Sequence, residues 1–80
     1  METYPVLQES EIKVSEGRYP SQMVLRQVKE KTYATHIKVH PPDGEPFFIL
    51  GHYFFKLEDA EEDFRRRAIE LGAFVEEDKG

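Results

Sequence analysis

Apolar and polar residues alternate with a period of two from Tyr33 to His40. Tyr33, Thr35, Ile37 and Val39 fall on one side, and Ala34, His36, Lys38 and His40 on the other; this is the pattern of a β-strand. Pro41-Pro42-Asp43-Gly44-Glu45 follows. The prolines stop the strand and Asp-Gly supplies a turn, which predicts a hairpin. The return strand runs from Pro46 to about Phe55 and is almost continuously apolar. Upstream, Met23 to Lys29 predicts another strand, with Glu30-Lys31-Thr32 as its turn. After Lys56 the period changes. Leu57, Ala60, Phe64, Ala68 and Leu71 recur at spacings of three and four, which predicts a helix from Leu57 or Glu58 to Leu71.

The helix carries its own punctuation. Glu58, Asp59, Glu61, Glu62 and Asp63 precede Arg65, Arg66 and Arg67, the favourable direction for the helix dipole. Glu61/Arg65, Glu62/Arg66 and Asp63/Arg67 are i,i+4 pairs, and the spacing reads as a solvated face, each pair contributing about 0.3–0.5 kcal/mol. Gly72 stands where a left-handed residue closes a helix. The predicted fold is α+β: a three-stranded antiparallel sheet packed by one C-terminal helix, in the order β-β-β-α. Residues 1–20 form an N-terminal arm or extra strand, residues 21–74 the domain, and residues 75–80 an acidic disordered tail. Within the arm, Glu11-Ile12-Lys13-Val14-Ser15 alternates as a short strand would, and Val6, Leu7, Ile12 and Val14 are candidates to cover part of the sheet.

One helix covers one face of a sheet, yet the return strand is apolar on both. If Ile37 and Val39 face the helix, a simple hairpin register places Ile49 and Phe47 with them. Phe48 and Leu50 then point to the other face, beside His36 and Lys38. That second face is either covered by the N-terminal segment or a second subunit, or it is a ligand platform of aromatics among Lys, Arg and His.

Composition narrows the chemistry. Eighty residues with ten Phe or Tyr and no Trp make one small domain. Without cysteine there is no disulfide framework, thiolate zinc site or Cys nucleophile. No run reaches the roughly 18 apolar residues of a transmembrane helix, and Met1-Glu2-Thr3-Tyr4-Pro5 does not open a signal peptide; the expectation is a soluble, cytoplasmic protein without a membrane partner. His36, His40 and His52 are the only histidines. Strand spacing puts the first two about 13 Å apart, so no metal site is expected. No Ser-His-Asp grouping, phosphate loop or two-carboxylate pocket can be assembled. The expectation is a protein without catalytic residues or cofactor.

Charge is unevenly spread. The net −5 resolves into −3 over residues 1–16, +4 over 17–42 and −6 over 43–80, and such segregation shapes the surface field. The basic middle marks Arg26, Lys29, Lys31, His36 and Lys38 as candidate nucleic-acid contacts, because a β-ribbon in a major groove meets phosphates and base edges. Lysines on half-exposed strands also simply solvate them or guard an edge.

The stretch Ile49-Leu50-Gly51-His52-Tyr53, then Leu57-Glu58-Asp59-Ala60, then Phe64 and Ala68, resembles the end of a plant ethylene-response-factor type DNA-binding domain. Its β-β-β-α relatives include the arm-binding domains of tyrosine recombinases. In that family a third strand ends in Leu-Gly-x-Phe, and an aromatic four residues after a helix-opening Ala packs on the sheet; Ala60, Phe64 and Ala68 match this spacing. The resemblance covers about residues 24–71. It implies a sheet laid in a DNA major groove, with Arg26 and Lys38 as contacts. The chain departs from the family in lacking Trp and a Tyr-Arg-Gly opening, and in one extra residue between Gly51 and Ala60.

Two functional classes follow. The first is a small non-enzymatic module that binds DNA or RNA through its basic sheet. The second is a protein-interaction module, a homodimer or a small regulator or inhibitor docking on a larger protein, with Phe48 and Leu50 at the interface. In that second class the acidic helix meets a basic partner or mimics nucleic-acid charge.

Overall fold

The strand that alternates around Thr35 is the second-last of the sheet, and the other elements are built against it. The computed structural model describes residues 4–72, with β1 (Val6–Glu9), β2 (Ser21–Lys29), β3 (Thr32–Val39), β4 (Phe47–Phe54) and α1 (Leu57–Leu71). The strands lie in sequence order in one antiparallel sheet, and α1 packs across one face, chiefly over β2 and β3. The sheet therefore has four strands where the sequence pattern predicted three. The added strand is Val6–Glu9, paired with β2. The alternating stretch from Glu11 to Ser15 makes a single bridge, Lys13 to Ser21. Ser10 secures the end of β1: its N–H donates to the Met23 carbonyl at 2.9 Å, and its Oγ accepts from the Met23 N–H at 2.8 Å. Val6, Leu7, Ile12 and Val14 stay exposed and do not cover the sheet. The acidic tail expected over residues 75–80 lies outside the described residues. Among the described residues, no helix is long and apolar enough to cross a membrane.

The helix begins after Lys56, whose backbone is extended, and carries Glu58 and Asp59 in its first turn. It ends at Gly72, with φ 86°, whose N–H reaches the carbonyls of Ala68 and Ile69; only glycine takes that conformation without steric cost. Ala60, Phe64 and Ala68 form the buried stripe and meet Met23 and Leu25 of β2, with Tyr33, Ile37, Phe54 and Leu71 around them. The two alanines let the helix approach closely, and Phe64 fills the space between them. Leu57, expected on this stripe, is exposed at its end.

Beside the apolar stripe the helix–sheet contact is polar, which the charge pattern did not foretell. Asp63 and Arg67, read as a solvated pair, are buried, at 3 % and 8 % exposure. The Thr35 hydroxyl donates to Asp63 Oδ2 at 2.6 Å. Arg67 Nη1 donates to Thr35 Oγ1 at 2.9 Å and to the Thr35 carbonyl at 3.2 Å, and its Nη2 donates to the Leu50 carbonyl at 2.7 Å. Arg66 donates to Asp63 Oδ1 at 2.6 Å, and His52 Nδ1 lies 3.1 Å from Oδ2. Burial by itself pushes the Asp63 carboxyl up. The Thr35 hydroxyl, His52 and Arg67 outweigh it and hold the carboxyl below its ordinary value.

Removing the carboxylate strands Arg67 and Thr35 in a buried site. Asp63→Ala is expected to cost about 3–5 kcal/mol in urea denaturation, whereas exposed Glu62→Ala changes stability by less than about 0.5 kcal/mol. Because the folded Asp63 titrates below the unfolded value, its stabilisation is complete above about pH 4 and is lost as pH falls through the folded value. The stability difference between the protein and Asp63→Asn is therefore expected to shrink on acidification below about pH 4. A difference that stays constant there would contradict the network.

Candidate nucleic-acid interface

The face of the sheet turned away from α1 is built from alternate residues of three strands. Register places Arg26 beside Ala34 and Tyr53, and Gln22 beside Lys38 and Phe48. Val24 stands next to His36 on the same face. Among the described elements, none packs on it. The expected grouping of Phe48 with His36 and Lys38 is present, as is the pairing of Ile37 with Ile49 and of Val39 with Phe47 on the helix side.

Phe48 is the centre of a cationic and aromatic cluster. The Arg26 guanidinium lies 4.7 Å from its ring centroid and Lys38 Nζ 6.0 Å. The His36 ring stands 5.2 Å from Phe48 and 5.7 Å from Tyr53, edge-on to the latter. Phe48 and Tyr53 are 39 % and 61 % exposed, and His36 is buried between them. Lys29 pairs with Thr32 at the hairpin end and Lys31 occupies the turn with φ 59°; both are exposed.

A β-bulge decides which β4 residues reach this face. The register shifts between Thr35 and Ile37, so Leu50 and Gly51 together oppose His36. An inserted residue reverses the alternation beyond it. His52 consequently turns to the helix side, where it meets Asp63, and Tyr53 turns to the free face. Leu50 corrects the expectation that it lies beside Phe48. Its φ of 54° diverts it from the alternation, and it lines a shallow depression on the helix side with Met23, Ile37, Arg67, Glu70 and Leu71. Gly51 is required by the His36 ring: a Cβ there would lie 2.5 Å from Nε2 and 2.9 Å from Cδ2.

Half of the acids among the described residues sit on the helix. Glu58, Asp59, Glu61, Glu62, Asp63 and Glu70 all belong to α1, behind the sheet. Among the described residues, no carboxylate lies within 4.0 Å of a cationic nitrogen of Arg26, Lys29, Lys31 or Lys38. Arg26 Nε and His36 Nδ1 are buried without hydrogen-bond partners. Burial, and after it the charges of Arg26, Arg67 and His52, lower the His36 pKa, so its ring is neutral at pH 7 and contributes shape, not charge. Among the described residues, no three His, Asp or Glu gather as metal ligands would.

The five sequence candidates are thus distributed along one face and its hairpin end, with Arg26 and Lys38 at Phe48, His36 beneath it, and Lys29 and Lys31 at the margin. Tyr53 was missed because simple alternation assigns it to the helix side. The signal for it was Gly51 inside a strand, where glycine often marks a bulge. Comparison of the chain with protein-family models, curated proteins and solved structures finds no significant match, so the reading of this face rests on its geometry.

Two outcomes test that geometry. Gly51→Ala forces the buried His36 ring to move and is expected to cost about 1–3 kcal/mol. Gly44→Ala, whose Cβ would meet only Pro41 Cγ at an ordinary 3.5 Å, serves as the comparison in urea denaturation. Unfolded His36 takes up a proton near pH 6.5 and the folded residue only at lower pH. The unfolded state therefore binds more protons in that window, and stability falls as pH drops below about 6.5. His36→Gln is expected to flatten this part of the profile, and an unchanged slope would contradict the burial of His36.

Proposed function

We propose that the chain is a small non-enzymatic nucleic-acid-binding module that uses the helix-free sheet face, and that its ligand is a single strand of DNA or RNA. The observation that carries this reading is the pair of exposed rings, Phe48 and Tyr53, set among Arg26 and Lys38, cations that no described carboxylate neutralises. Unpaired bases stack on such rings, each worth about 1–3 kcal/mol. In a duplex the base faces are already occupied by their neighbours, so exposed rings favour single strands. Arg26 and Lys38 receive phosphates beside the stacked bases, and Lys29 and Lys31 extend the track to the hairpin end. His36, neutral and buried, sets the positions of the two rings. The net charge of −5 does not oppose this, because half of the described acids lie on α1 behind the sheet and no described carboxylate lies within 4.0 Å of these cations. The resemblance to β-β-β-α domains that bind DNA through the sheet points to the same two residues, Arg26 and Lys38, but implies a duplex major groove, so the exposed rings and not the resemblance carry the single-strand assignment.

Fluorescence anisotropy with labelled mixed-sequence oligonucleotides tests the proposal. Single strands are expected to bind more tightly than the matching duplex, with affinity falling steeply between low and physiological salt as counterions are released. Tyr53→Ala is expected to weaken binding by about 1–3 kcal/mol, and Lys38→Glu by roughly tenfold or more while the fold persists. Absence of binding at low salt, or unchanged affinity in folded Lys38→Glu, would remove the sheet face as the binding surface. Preference for the duplex would overturn the single-strand assignment.

A further inference from the structure

The two edges of the sheet are unlike. The β1 edge is four residues long, interrupted by a register shift between Val6 and Gln8, preceded by Pro5 and ending in Glu9. Shortness, irregularity, proline and charge are the devices that keep a sheet edge from pairing. The β4 edge has none of the last two. Phe47–Phe54 is eight residues, about 27 Å of strand. It contains no Lys, Arg, Asp, Glu or Pro, and every residue but Phe54 is exposed. The helix packs least over β4, and no described strand lies beyond it. Apart from the Leu50 carbonyl, which accepts from Arg67, its outer backbone groups face no described strand, and it has apolar side chains on both faces to bury.

We propose that the chain forms a two-fold symmetric dimer in which the outer edge of β4 pairs antiparallel with β4 of a second copy. The β-bulge identifies the occupant. Phe47, Ile49, His52 and Phe54 share a face with Val39, Ile37, Thr35 and Tyr33, and Phe48 and Tyr53 share the other with Lys38 and Ala34. Read inwards from either end to the Leu50-Gly51 bulge, the strand therefore shows the same order of faces. A two-fold axis perpendicular to the sheet preserves faces, so a strand can overlap its whole length with a copy of itself only if paired residues point the same way. A regular strand of even length fails that condition in full overlap. The inserted residue of β4 satisfies it.

In this register Phe47 meets the second copy's Phe54, Phe48 its Tyr53 and Ile49 its His52. Just outside the strand, Glu45 comes opposite the second copy's Lys56, and symmetry repeats that pair at the other end. The strand holds no Lys, Arg, Asp or Glu, and the first such residues on either side, Glu45 and Lys56, are opposite in charge. A partner of unrelated sequence has no reason to match both the facing order and the flanking charges, whereas a second copy matches both. The product is a continuous eight-stranded sheet with both helices on one side. It stands independently of what the free face binds, and the measurement contains no nucleic acid.

Sedimentation equilibrium of the full chain gives the test. The protein is expected at twice its 9.4 kDa chain mass at sub-millimolar concentration. Phe47→Lys, which places a charge in the edge, is expected to leave a folded monomer by circular dichroism. Glu45→Lys or Lys56→Glu alone is expected to raise the dimer dissociation constant roughly tenfold, since two pairs turn from attraction to repulsion. The double variant Glu45→Lys/Lys56→Glu is expected to return close to the starting value. Both residues are exposed, so these changes leave the fold in place. A protein that is monomeric throughout overturns the proposal. So does a dimer indifferent to both single charge reversals, because its interface or its register is then another.

Discussion

Asp63 is a carboxylate taken out of water, and such a group persists only with hydrogen-bonding and charged partners around it. Thr35 and His52 supply them from the sheet, Arg66 and Arg67 from the helix itself. Arg67 then passes the constraint on, because its second nitrogen holds the Leu50 carbonyl at 2.7 Å. Leu50 is a non-glycine residue with φ of 54°, a conformation that costs free energy and persists only where its surroundings enforce it. The helix thus braces the bulge, and the bulge decides that His52 faces inward to Asp63 while Tyr53 faces outward. The arrangement is circular: the inserted residue delivers His52 to the network that holds the insertion in place.

That dependence explains why a domain with so small a core can specify one register. The fully buried cluster is Met23, Leu25, Ala60, Phe64 and Ala68, and two of its members are alanines. Apolar packing of this size leaves little surplus stability. A slip of β4 by one residue would retain much of the apolar contact, since Phe47, Phe48, Ile49 and Leu50 form an unbroken apolar run. It would, however, carry His52 away from Asp63 and the Leu50 carbonyl away from Arg67. The polar network therefore favours the observed register over that slip, the role for which buried polar groups are best attested.

The same bulge organises both surfaces to which we assign a function. On the free face it brings Tyr53 to the side of Phe48, with the neutral His36 ring between them. Along the edge it makes the order of faces symmetric, so that the strand complements itself. In the paired arrangement Phe48 adjoins Tyr53 of the other copy on the free side, and two cationic and aromatic clusters share one uninterrupted sheet. The α1 acids remain behind it, so the field of the joined face stays separate from the net charge of the chain.

Much of the architecture could be read from local pattern. The helix is found at Leu57–Leu71 and closes at Gly72 because periodicity and capping are properties of neighbouring residues. The β2–β3 and β3–β4 hairpins follow from their turns, and the pairing of Phe47 to Ile49 with Val39 to Ile37 follows from alternation. Alternation alone left open whether Arg26 or Lys29 joins from β2, whereas His36 and Lys38 could be placed on a common face for the same reason. The fourth strand could not, since Val6–Glu9 shows no alternation and is held by Ser10 and β2. Nor could the burial of Asp63 and Arg67: at i,i+4 they look like any solvated pair, and only the position of β3 and β4 beneath the helix gives them buried partners. The bulge is the remaining case. Gly51 hinted at it, but the direction of every side chain after it depends on the space occupied by His36, fifteen residues upstream. Periodicity is a local property and was set by the order of residues; register, and with it the composition of each face, is a contact between distant segments and arose only when they packed together.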